Sequence, residues 1–179
     1  MNYDPNLHHR RTVRLHDYDY SQSGAYFVTV CTEGRKALFG AFVQDGEPFV
    51  ELNAAGLQVR RCWTEIPQHF PSVSLDEFLV MPDHLHGILL LGGEGASLGR
   101  SRGANDYSPL QDGTARTVGS VVRGFKIGVT KWFNENRPTA DKVWQRSFYE
   151  HVIRNEQELH ATRQYIQENP LRSVLRLGR

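Results

Sequence analysis

The apolar positions of this chain follow two periods, one of about two residues and one of about three to four, and the alternation between them predicts its elements. Residues 25–32, AYFVTVCT, are rich in aromatic and β-branched side chains and predict a first strand. Glu33-Gly34-Arg35 suits a turn, and residues 38–43 and 49–52 suit short edge strands around Asp45-Gly46. Asn53 predicts the N-cap of a helix reaching about residue 70, with Leu57, Cys62, Ile66 and Phe70 on its apolar side and Pro67 breaking or ending its last turn. Residues 73–81 return to strand, Pro82-Asp83 make a turn or bulge, and strand resumes over 84–91. Val118, Val121, Val122, Phe125, Val129, Trp132 and Phe133 mark a helical stripe over 117–135. Residues 148–153 predict a strand, and Asn155 caps a helix over 156–169 that Pro170 ends.

Strands and helices therefore interleave as β, α, β-β, α, β, α, which suggests an antiparallel sheet covered by helices. Residues 1–24 read as a polar arm, and the Gly-, Ser-, Asp- and Asn-rich stretch 92–115 as a long flexible loop. No repeat and no second core is visible, so one domain over 1–179 is expected. No apolar run reaches the roughly 18 residues that span a bilayer, and the start of the chain lacks a signal-peptide pattern. Cys31 and Cys62 are the only cysteines and suit a reduced, cytoplasmic setting. Net charge is +1, but its distribution is uneven: Arg10, Arg11 and Arg14, then Arg116, Arg123, Lys126 and Lys131, then Arg172, Arg176 and Arg179 fall in acid-free stretches. Those stretches either converge on one basic face or remain separate solvated surfaces.

The stretch FLVMPDHLHGILLL carries Asp83, His84 and His86 through an otherwise apolar run. Side chains on a strand repeat every two residues, so both imidazoles face the same way. Such a pair can supply two ligands to one metal ion, or it can bond backbone and solvent at a strand end. Asp83 suits either an orienter of an imidazole or a turn residue after Pro82. Tyr165 and Asn169 are four apart on one helix, as a functional pair or as surface tyrosine and C-cap. Tyr149 alternates with His151, so both face one side; Tyr149 is assigned to packing, and His151 is a candidate to support a metal ligand from behind or to act as a base.

The motif MPDHLHGILLL, followed by VWQRSFYEHVIRNEQELHATRQYIQENPLR, resembles the REP-associated tyrosine transposases. These form part of the single-tyrosine branch of the H-U-H nucleases, U being a bulky apolar residue, here Leu85. SGAYFVTVCTEGRKALFG is also similar to that family's first strand and turn, so the resemblance spans residues 25–172. It implies an α+β, ferredoxin-like αβ sandwich with a central antiparallel sheet. It also implies that His84, His86 and Asn169 are metal ligands and Tyr165 the nucleophile.

The implied activity is that of a metal-dependent single-stranded DNA endonuclease and strand transferase, using Mg²⁺ or Mn²⁺ and cutting near REP-like hairpins through a 5′-phosphotyrosine. Two imidazoles and an amide leave open positions on a cation for phosphate oxygens. Arg10, Arg11, Arg14, Arg123, Lys126, Lys131, Arg172 and Arg176 are the candidate DNA contacts. Single-stranded and hairpin DNA are the implied partners, with no membrane; monomer and homodimer both stay open. A non-cleaving hairpin-binding relative is the alternative reading, and a zinc hydrolase using His84 and His86 a third.

Overall fold

The computed structural model describes residues 23–44, 46–92, 117–137 and 142–177, with the side chains of 176 and 177 left out. Arg10, Arg11 and Arg14, most of the expected 92–115 loop and the Arg176 side chain lie outside the described residues.

Strand β1 (Gly24–Cys31) is followed by a 3-10 turn (Glu33–Arg35) and a separate hairpin of β2 (Gly40–Val43) and β3 (Phe49–Leu52). Helix α1 (Ala54–Thr64) starts at Asn53, whose side chain accepts from the Gly56 amide. The helix expected to run on to about residue 70 instead breaks at Glu65, and a short α2 (Ile66–His69) takes over with Pro67 in its first turn. Proline tolerates the start of a helix, where its missing N–H costs nothing, and not the interior. Leu57, expected on the apolar stripe, is exposed; Cys62, Ile66 and Phe70 pack on the core as expected, beside the buried Ala55, Val59 and Trp63.

Strands β4 (Val73–Met81) and β5 (His84–Leu91) are joined by the two-residue Pro82-Asp83 turn. Helix α3 (Val118–Asn136) begins at a capping box of Thr117 and Ser120. After β6 (Tyr149–Ile153) comes α4 (Glu156–Gln167), capped by Asn155. Pro170 does not end the helical stretch. The break falls at Glu168, and Asn169 opens a new helix, α5 (Asn169–Leu177), in which proline again occupies the first turn.

The four main strands are ordered β4-β5-β1-β6 with antiparallel neighbours. With α1 between β1 and β4 and α3 between β5 and β6, the chain has the split β-α-β of a ferredoxin-like sandwich, as expected. Sheet alternation divides the interior. One face carries Tyr26, Val28, Val30, Leu85 and Leu89 against Val59 and Trp63 of α1 and Val121, Phe125 and Val129 of α3. The other carries Ala25, Ile88 and Ile153 against Leu159 and Ile166 of α4.

Gly87 sits where β5 meets α1, and a methyl added there would press on the buried Trp63 ring inside van der Waals distance. Gly87→Ala is expected to destabilise the fold by about 1–3 kcal/mol through overpacking, read as a lower denaturant midpoint at unchanged slope.

Candidate phosphoryl-transfer site

Strand alternation puts His84 and His86 on the α4 side of the sheet, while their neighbours Leu85 and Gly87 face α1 and α3. Both imidazoles are buried, 6% and 5% exposed, so each needs partners inside the protein. Each finds one at Nδ1: His84 bonds the Asp83 carboxylate at 2.6 Å, and His86 bonds the Thr29 hydroxyl at 2.8 Å. The two Nε2 atoms then face each other at 2.9 Å, with the rings nearly perpendicular.

That separation suits a shared cation. Two nitrogens each about 2.1 Å from one ion and at right angles lie about 3.0 Å apart. With Nδ1–H given to Asp83, His84 presents a lone pair at Nε2, the tautomer a metal ligand needs. Among the described residues no cluster of three or more His, Cys, Asp or Glu side chains could hold a metal, so a third donor from those residues would be of another type. Asn169 is of that type. It is buried at the start of α5, and its Oδ1 accepts a long bond of 3.3 Å from the Ser173 hydroxyl.

Tyr165 comes from α4, which crosses this face of the sheet. Its ring centroid lies 5.4 Å from that of His86, and its edge also meets Phe27 at 5.9 Å. Phe27 stacks on His86 and touches Tyr149 edge-on, so a β1 aromatic links strand, helix and imidazole. Tyr165 stays 37% exposed, so its outer side meets solvent. Tyr149 faces the same side as His151, as strand alternation requires, but is exposed at the sheet edge rather than packed in the core. His151 bonds the Glu158 carboxylate at 2.6 Å, which ties β6 to the first turn of α4.

Three contributors escape sequence reasoning. Thr29 and Phe27 lie more than fifty residues from the histidines, and only the β1–β5 register brings them alongside. Arg35, with a left-handed φ of 57°, reaches Asp83 at 2.8 Å and the Cys31 sulfur at 2.9 Å. A non-glycine residue in that region carries strain. Burial pushes the Asp83 carboxyl up, but the hydrogen bond from His84 and the charges of His84 and Arg35 outweigh it and hold its pKa low.

The basic candidates do not share one face. Arg172 lies at the site, its guanidinium 5.9 Å from the Tyr165 ring centroid while it pairs with Glu168 at 2.7 Å. Arg123, Lys126 and Lys131 belong to α3, on the opposite side of the sheet, where they line a groove of about 680 Å³ with Ile127, Arg146 and Phe148. Lys126 gives its ammonium to the carbonyls of Gln145 and Ser147, and burial lowers its pKa.

Burial, with the neighbouring His84 and Arg35 charges, drives the His86 pKa down from 6.5 to about 3. Unfolded His86 takes up a proton below about pH 6.5 while the folded residue stays neutral, so metal-free stability falls as pH drops from 6.5 toward 3. The slope attributable to this group is at most about 1.4 kcal/mol per pH unit. Denaturation midpoints between pH 6.5 and 4.5, above the range where carboxylates add their own loss, should show it, and His86→Gln should flatten it.

No family model matches the chain. An uncharacterised Haemophilus influenzae protein is 41% identical over 177 residues, covering 94% of this chain and 92% of that protein. A second protein of the same organism, named "Putative REP-associated tyrosine transposase", is 24% identical over 160 residues, covering 86% of this chain and 74% of that one. The solved structure of a REP-associated tyrosine transposase bound to a REP hairpin superimposes with a TM-score of 0.58 at 20% identity, over 90% of this chain and 74% of that chain, which establishes the shared fold. The chain belongs to one family with the uncharacterised Haemophilus influenzae protein, and the likeness to REP-associated tyrosine transposases expected from its motifs holds in both sequence and fold.

Proposed function

We propose that this protein is a metal-dependent single-stranded DNA endonuclease and strand transferase that acts beside DNA hairpins and uses Tyr165 as its nucleophile. One observation carries the reading: an exposed tyrosine on α4 lies ring to ring with His86, whose Nε2 meets that of His84. The 24%-identical relative named for REP association and the hairpin-bound structure of like fold support the choice of substrate. On this reading the protein works on DNA in the cytoplasm.

His84 Nε2, His86 Nε2 and the Asn169 amide oxygen would hold a divalent ion, Mg²⁺ or Mn²⁺. Bound there, the ion would neutralise charge on the scissile phosphate. Asp83 and Thr29 hold the two imidazoles in orientation from behind, through Nδ1. The Tyr165 oxygen forms a bond to phosphorus as the bond to the 3′ oxygen breaks. The phenolic proton passes to solvent, the departing 3′ oxygen takes up a proton as it becomes the 3′-OH, and the 5′ side stays on tyrosine. Attack by a different 3′-OH reverses these bonds and joins strands, with no external energy source.

Phosphates near the site would meet Arg172, and the α3 groove with Arg123, Lys131 and Arg146 offers a second cationic surface on the far side of the sheet. Arg10, Arg11, Arg14 and Arg176 complete the proposed contacts. A non-cleaving hairpin-binding protein is the second reading, supported by the structure of like fold bound to a REP hairpin.

Incubation with an end-labelled hairpin carrying single-stranded flanks, in Mn²⁺ or Mg²⁺, should yield a covalent adduct. Tyr165→Phe should abolish the adduct and keep hairpin binding; an undiminished adduct would sink the assignment. Hairpin binding by the unaltered chain with no cleavage in any divalent ion would establish the second reading instead. Thr29→Val should weaken Mn²⁺ binding by roughly 10- to 100-fold in calorimetric titration, because His86 loses the partner that orients it.

A further inference from the structure

Strand β4 changes register between Leu75 and Phe78, which pair with Leu89 and Gly87. Two residues, Asp76 and Glu77, therefore stand opposite one, Ile88, and form a β-bulge. Leu75 and Phe78 on either side both pack toward the α1 and α3 core. The extra residue turns Asp76 and Glu77 together toward α4.

Both find partners there. Arg163 reaches Asp76 through two bonds, Nε to Oδ1 at 2.7 Å and a terminal nitrogen to Oδ2 at 2.6 Å. Gln167, one helical turn on, donates to Glu77 at 3.2 Å. The Asp76 side chain is only 13% exposed. The buried anchors of α4 are Leu159 and Ile166 alone, a narrow stripe about which a helix can roll. At 100° per residue, Arg163 and Gln167 flank that stripe on one side, and Tyr165 lies beyond its other side.

We infer that the Asp76–Glu77 bulge is a latch that sets the roll of α4 and so places Tyr165 against His86; as a positioning device it rests on the function proposed for Tyr165. A tyrosine tip about 6 Å from the helix axis moves about 1 Å for a roll of about 10°. Such a displacement of a nucleophile can cost up to roughly 100-fold in rate. A bidentate Arg–carboxylate pair suits the task because its two parallel bonds define an orientation as well as a distance.

The test uses the full chain labelled with 3-fluorotyrosine, with the Tyr165 resonance assigned from its loss in Tyr165→Phe. In Asp76→Asn that resonance should shift as the ring leaves Phe27 and His86, adduct formation should slow roughly 10- to 100-fold, and hairpin affinity should stay the same. Arg163→Lys, which keeps the charge and loses the fork, should fall between. The exchanged pair Asp76→Arg with Arg163→Asp should recover part of the rate and return the resonance toward its original position. An unmoved resonance in Asp76→Asn overturns the latch, as does a rate loss matched by an equal loss of hairpin affinity. If the unaltered protein forms no adduct, the proposed nuclease function fails, and the fluorine resonance alone decides the latch.

Discussion

Strand β5 is covered on both faces, and that constraint organises the site. It runs between β4 and β1, so its backbone is paired on both edges and its side chains alternate between two packed layers. Leu85, Gly87 and Leu89 face α1 and α3, with Gly87 leaving room for the Trp63 indole. His84 and His86 face the layer that α4 covers, where bulk water cannot satisfy their nitrogens. Burying two imidazoles there is tolerable only because Asp83 and Thr29 complete their hydrogen bonds. That requirement also leaves both Nε2 atoms facing each other.

The turn that carries Asp83 is held by the segment following β1. The Thr32 amide and hydroxyl both donate to the Asp83 carbonyl, and the Phe39 amide donates to the Pro82 carbonyl. Arg35 approaches from the same segment in a strained backbone conformation and pairs with the Asp83 side chain. Strain at one residue is maintained because the surrounding hydrogen bonds over-determine it. The carboxylate that orients His84 is thereby fixed from both its backbone and its side chain.

The helical layers divide the work between the two faces. Helices α1 and α3 supply the larger core, and α3 turns Arg123 and Lys131 outward into a groove that shares no wall with the histidines. Helix α4 makes a smaller core with Leu159 and Ile166, and polar ties to β4 and β6 add direction to that contact: Arg163 to Asp76, Gln167 to Glu77, and Glu158 to His151. A thin apolar contact supplemented by directional bonds holds the helix in place while leaving its outer side open around Tyr165.

Period and punctuation in the sequence determined most of the secondary structure, because burial on a strand or helix face leaves its mark at fixed spacing. The H-L-H strand, the Asn53 and Asn155 caps and the α3 stripe were all legible this way. Of the two prolines, Pro67 does mark a break in its helix, at Glu65, while Pro170 misled. Pro67 and Pro170 each open a helix rather than end one, since proline resists only the helix interior and a chain pattern does not say which turn is first. Leu57 failed on spacing itself: five residues before Cys62, it lies about 140° round the helix from it, and it is the Cys62 side that packs on the core. What surrounds the histidines was decided by tertiary structure. Thr29 and Phe27 arrive by strand register, Arg163 meets Asp76 across 87 residues through a bulge, and the α3 cations land on the other side of the sheet. No local pattern encodes these neighbours, because they depend on how separate elements pair and pack.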